Sequence, residues 1–158
     1  MTRIAVSGHR GLPPQSVALV DQAIREALTD YLPAISGLSC LADGADQIFA
    51  QAVLDLGGEL EVVVPAKEYR DGLPSECHAA YDELSSRAVR THRLDFVAST
   101  SESHMTASTR MISDADVLFA VWDGQPARGY GGTADVVGEA RRREVPVRVI
   151  WPDGARRD

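Results

Sequence analysis

Five short runs of branched apolar residues, with helical patterns between them, limit the folds open to this chain more than any other feature. RIAV (3–6), LSCL (38–41), LEVVV (60–64), VLFAVW (117–122) and VRVIW (147–151) are mostly continuous in hydrophobicity. A strand with one face in water alternates apolar and polar residues. Runs without alternation are buried on both faces, as in a parallel sheet. A weaker sixth run, VRTHRL (89–94), sets Val89, Thr91 and Arg93 beside polar neighbours and reads as an edge strand.

The intervening segments carry helix signals. Pro13 and Pro14 open the first, whose apolar stripe runs Val17, Val20, Ile24, Ala27/Leu28 and Tyr31. Asp43 and Asp46 have capping-box spacing at the start of the second, and Gly57-Gly58 ends it. A third begins near Ser75 after DGLP, and a fourth spans about 101–115. The fifth starts at Thr133, its expected N-cap, and closes on Arg141, Arg142 and Arg143, cations at the negative end of the helix dipole. The expected fold is α/β: a single domain over 1–158, a three-layer α/β/α sandwich with a mainly parallel sheet, Rossmann-like.

Composition narrows the partners. A net charge of −7 argues against a broad electrostatic footprint on nucleic acid, so a nucleic-acid partner is not expected. The opening MTRIAV has no leader-like pattern, and the longest uncharged stretch, 31–42, is too short to span a bilayer. Cys40 and Cys77, with no CxxC, fit reduced thiols. A cytoplasmic protein without a membrane partner is therefore expected.

In open α/β sheets, ligands bind beyond the carboxyl ends of the strands. Three loops at that end carry unusual residues. Gly8, His9 and Arg10 follow the first strand, and Asp43, Gly44 and Asp46 follow the second. Asp123 and Gly124, then Arg128, Gly129, Gly131, Gly132 and Thr133 in ARGYGGT, follow the fifth. Each loop leads into a helix whose free amides can hold an anion, which is what a nucleotide phosphate needs. Each residue also has a plainer reading. His9 can be a satisfied loop histidine, Arg10 can pair with a carboxylate, and Asp43 and Asp46 can cap their helix. The four histidines are scattered, so no metal site is expected. GxGxxG after the first strand, GxxxxGK[ST] and GxSxG are all lacking.

SGHRG, LADGADQIFAQAV and SDADVLFAVWDGQPARGYGGTADVV together resemble the SLOG superfamily, which unites Smf/DprA proteins, LOG phosphoribohydrolases and nucleotide-sensing domains. The resemblance spans roughly residues 3–151. It implies a Rossmann-like fold that binds a nucleotide, with the glycine-threonine loop around the phosphate. The nucleotide would be ligand or substrate, with no further cofactor. It also implies a homodimer or larger assembly, for which Met105, Met111 and Ile112 could supply an interface or, equally, cover the sheet. LOG enzymes keep a glutamate three residues after the threonine, where this chain has Val136; Asp135 stands one residue earlier. Their arginine in the preceding helix falls on Ala107, with Arg110 one turn further. A sensor or ligand-binding module is thus expected. The alternative is hydrolysis of nucleoside 5′-monophosphates with Asp135 and Arg110 as catalytic residues.

Overall fold

Residues 1–157 are described by a computed structural model. In chain order they form β1 (Thr2–Gly8), α1 (Pro14–Thr29), β2 (Ile35–Ser39), α2 (Ala45–Asp55), β3 (Glu59–Ala66), α3 (His78–Ser86), β4 (Arg90–Phe96), α4 (Ser101–Ser113), β5 (Val117–Val121), α5 (Thr133–Arg142) and β6 (Val147–Val149). Every strand pairing among these residues is parallel, and the sheet order is β4-β3-β2-β1-β5-β6. The α/β architecture expected from the apolar runs is the one observed, and the sheet is wholly rather than mainly parallel.

Burial follows the hydrophobic pattern. All residues of β2 and β5 are buried, whereas the alternating β4 lies at an edge with its polar residues in solvent. One apolar cluster packs Val20, Ile24 and Leu28 of α1 and Phe49 and Val53 of α2 on Ile4, Val6 and Phe119. Another joins Met105, Met111 and Ile112 of α4 and Val136, Val137 and Ala140 of α5 to Ala5, Leu38 and Leu118. The three α4 residues thus cover the sheet. Each fully buried Leu, Ile or Phe contributes about 1.5–3 kcal/mol relative to exposure.

Three boundaries differ from expectation for local reasons. β2 ends at Ser39, because the Leu41 N–H turns back to Ser39 Oγ (3.0 Å) and Leu41 has φ of 58°. A 3-10 turn over Ser75–Cys77 precedes α3, so that helix starts at His78. The N-cap of α5 is Gly132, not Thr133; Thr133 is the first helical residue.

One polar cluster crosses the sheet near its amino end. Glu61 on β3, 2 % exposed, meets Arg3 Nη1 at 2.8 Å, His92 Nε2 at 3.1 Å and Ser36 Oγ at 3.3 Å. Burial alone would raise the Glu61 carboxyl, but the bonds from His92 and Arg3 outweigh it and hold the pKa below the ordinary value.

The chain proceeds from β1 outward through β2, β3 and β4, then returns to β5 and β6 on the other side of β1. The boundary between β1 and β5 is therefore the switch point of the sheet, where loops leave in opposite directions and open a crevice.

Candidate functional site

A cleft of about 250 Å³ opens at that switch point, beyond the carboxyl end of β1. Ser7, Gly8, His9 and Arg10 form one wall, Cys40, Ala42 and Asp46 another, and Gly131, Gly132 and Thr133 a third. Three loops far apart in sequence thus meet.

Arg10 is held in place from below. Its Nε donates to Asp43 Oδ1 at 2.8 Å, while Asp43 Oδ2 accepts the Gly11 N–H at 3.0 Å. Asp43 therefore braces the first loop and does not cap α2, whose N-cap is Gly44 with no side-chain bond. Gly44 is required there: φ is +85°, and a Cβ would lie 2.6 Å from the His9 carbonyl oxygen. Gly8 answers a different need, since its Cβ would meet Ala45 Cβ at 2.4 Å and Val121 Cβ at 2.7 Å. It lets the helix and the strand close around β1.

His9 is 6 % exposed and ties two loops together. Its Nε2 accepts the Asp123 N–H at 3.0 Å, and its ring stands edge-on to Trp151. Burial first, then the charge of Arg157, lower its pKa, while the Asp123 carboxylate pulls the other way. That is a bracing histidine. Asp123 also accepts from Gln125 N–H at 3.0 Å, closing the turn that contains Gly124 (φ +82°).

Asp46 sits at the cleft floor. One oxygen accepts the Ala42 N–H at 3.3 Å, and burial pushes the carboxyl up to about 7 although Arg10 pulls the other way. Asp43, Cys40 and Tyr69 are the other titratable groups around it.

The glycine loop divides its work. Gly131 has φ of +88°, but its N–H already donates to Asp135 Oδ2 at 2.9 Å, and Gly132 N–H donates to Gly129 O at 3.3 Å. The amides of Thr133 and Ala134 have no acceptor among the described residues, leaving the orphan donors of a helix start. Thr133 lines the cleft, so any anion there would meet the first turn of α5, not the Gly131 amide. Gly129 and Arg128 are exposed, and the Arg128 charge reaches the site, adding to the forces that lower His9.

Asp135 and Arg110 do not come together at the cleft. Asp135 lines a separate groove between α4 and α5 with Met105, Thr109 and Glu139. Arg110 lies on the last turn of α4, 3.5 Å from Asp114 and 3.3 Å from His92 Nδ1.

Several cleft residues carry no signal in the sequence: Pro65, Tyr69, His104, Ser108 and Arg157. Tyr69 and His104 pack edge-on with centroids 5.5 Å apart, and burial lowers the His104 pKa.

No protein-family model matches the sequence, and no curated protein matches it. Solved structures do. DNA processing protein A from Streptococcus pneumoniae superposes with a TM-score of 0.67 at 17% identity, over 94% of this chain and 50% of that one. The Helicobacter pylori protein, whose structure describes a single-stranded DNA binding mode, gives 0.69 at 18% identity over 98% and 67%. The molybdenum cofactor binding protein of Rippkaea orientalis gives 0.61 at 14% identity over 96% and 77%. This chain shares the fold of these proteins. At these identities the likeness establishes the fold, and the chain spans only half the length of the Streptococcus protein.

Two expectations are corrected by these SLOG-type structures. Nucleic acid was set aside on net charge, yet a protein of the same fold is described binding single-stranded DNA. Net charge sums the whole surface and says little of a local field, such as that of Arg10 and Arg157 at the cleft. The expectation of no cofactor is overturned by the molybdenum cofactor proteins that share the fold. No helix of the described residues is long and apolar enough to cross a membrane.

Proposed function

We propose that the cleft at the β1–β5 switch point binds the phosphate of a nucleotide or nucleotide-derived ligand, and that the chain acts as a sensor or ligand-binding module. The supporting observation is the convergence of Arg10, fixed by Asp43, with the free first-turn amides of α5 on one crevice. A guanidinium and a helix start are both well suited to donate to phosphate. The apolar part of the lining, Val6, Pro65, Tyr69 and Met111, suits a flat ring, and the volume suits one small molecule. The same donors would take the anionic part of a cofactor or one phosphate of a DNA strand. Hydrolysis by Asp135 and Arg110 has no such support, because the carboxylate is engaged by the Gly131 amide and the arginine lies elsewhere.

The test is a thermal-shift and calorimetric panel with AMP, ADP, ADP-ribose, NAD and a short oligothymidylate. Stabilisation by the mononucleotides at sub-millimolar concentration is expected. Stabilisation by the oligonucleotide alone would favour the nucleic-acid reading, and none by any compound would remove the proposal.

Binding should depend on pH through Asp46. Its folded pKa, about 7, lies above the ordinary 3.8. The stability it contributes is therefore complete below 3.8 and lost as pH rises through about 7. An ionised Asp46 also repels an incoming phosphate. ADP affinity should fall as pH rises above 7, by up to about tenfold per unit if one proton is taken up with the ligand. Asp46→Asn should flatten that profile, and an unchanged profile would show that another group is titrating.

A further inference from the structure

The segment after β6 returns to the cleft. The Trp151 ring stands edge-on to His9, with centroids 5.4 Å apart. Ala155 N–H donates to Pro152 O at 3.1 Å, closing a turn through Gly154, whose φ is +88°. Arg156 N–H then donates to Ser16 Oγ at 2.7 Å, and Ser16 is 1 % exposed at the start of α1. These attachments carry Arg157 to the mouth of the cleft, which its side chain lines beside His9 and Arg10.

The Arg157 side chain is only 18% exposed, yet its one ion pair among the described residues is a 3.5 Å approach of Nη1 to Asp123 Oδ2. A guanidinium has five N–H donors, and since no buried side-chain nitrogen among the described residues lacks a partner, those not turned to Asp123 are open to solvent. Arg10, by contrast, has a 2.8 Å bond to its carboxylate. A largely buried cation with donors open to solvent, held at a cleft by a bonded turn, is arranged for a partner that arrives from solvent.

We infer that residues 151–157 are a working part of the binding site, laying Arg157 across the cleft as a second cation for the anionic end of the ligand. This rests on the reading of the cleft as a phosphate site and deepens it. Two arginines supplied from opposite ends of the sequence favour a ligand with a diphosphate over one with a single phosphate. The segment is then a specificity element as well as packing over α1.

The test is isothermal titration of adenosine, AMP and ADP into wild type, Arg157→Ala and Arg157→Lys. Expected are a roughly tenfold loss of ADP affinity in Arg157→Ala, a smaller loss for AMP, none for adenosine, and partial recovery in Arg157→Lys. Unchanged ADP binding in Arg157→Ala, with wild type binding well, would overturn the inference and leave the phosphate site standing. Equal losses for adenosine and ADP with a lowered melting temperature would also overturn it, reducing Arg157 to a brace on Asp123. No binding of any probe by wild type would remove both.

Discussion

Gly44→Ala will destabilise the protein by about 3 kcal/mol, more than other loop glycines lose on the same change. Two costs coincide at this position. The backbone is at φ +85°, ψ −131°, where an L side chain is strained by about 1–3 kcal/mol. The added Cβ would also lie 2.6 Å from the His9 carbonyl oxygen and 3.1 Å from Arg10 Cα. Both are backbone atoms, so neither can swing aside, and the first and second loops must separate. The Ala45 N–H to His9 O bond (3.2 Å), which joins those loops, would stretch with them. Gly124→Ala is the control: its φ is +82°, but nothing lies within 4 Å of the new carbon, so only the backbone strain of about 1 kcal/mol remains. Gly129→Ala, open on all sides, should be close to neutral. Urea denaturation of the three variants checks the ranking, and equal losses for Gly44→Ala and Gly124→Ala would show that the loops do not approach as described.

Arg10→Ala should cost about tenfold to a hundredfold in ADP affinity while leaving the melting temperature nearly unchanged. The two effects separate because the Arg10 side chain is 48% exposed, and an ion pair at such a surface adds at most about 1 kcal/mol to stability. A charge-assisted bond to phosphate in a partly dry cleft is worth about 1.5–3 kcal/mol. Arg10→Lys keeps the charge but loses the fork that reaches Asp43 and phosphate at once, so it should recover only part of the affinity. Calorimetry at two salt concentrations sharpens the result, since the arginine contribution should shrink as salt rises. Equal ADP affinity in Arg10→Ala and wild type would place the phosphate elsewhere.

The layers of the fold were legible because they depend on periodicity. LEVVV and VLFAVW read as strands buried on both faces, and the weaker run VRTHRL as an edge, where β4 lies. The start of β2 was hidden because Ser36 and Gly37 interrupt its apolar pattern: Ser36 turns to Glu61, and Gly37 leaves room for Phe49. The loops that form the cleft were legible from their glycines, but the roles inside them were not. Asp43 has the type and spacing of a cap, yet it reaches across the cleft wall to Arg10, a contact between residues 33 apart. Gly131 has the composition of a phosphate loop, yet its amide is already engaged by Asp135. Tyr69, His104 and Arg157 reach the cleft from ordinary-looking segments, and only the packing of α4 and the turn at Gly154 brings them there.

The order of the sheet also bears on how the molecule assembles. β1 pairs with β2 about thirty residues later, Thr2 opposite Ile35, but also with β5 more than a hundred residues later, Ile4 opposite Val117. Contacts that close short loops form early, while the central β1–β5 ladder must wait for a long closure. The sub-sheet β1–β4 can therefore gather first, with the β5 side of β1 still bare. One wall of the crevice belongs to α5, so no ligand can be gripped until that last ladder has zipped. A bound nucleotide would hold the late-arriving third of the chain in place, and its release would loosen that part first.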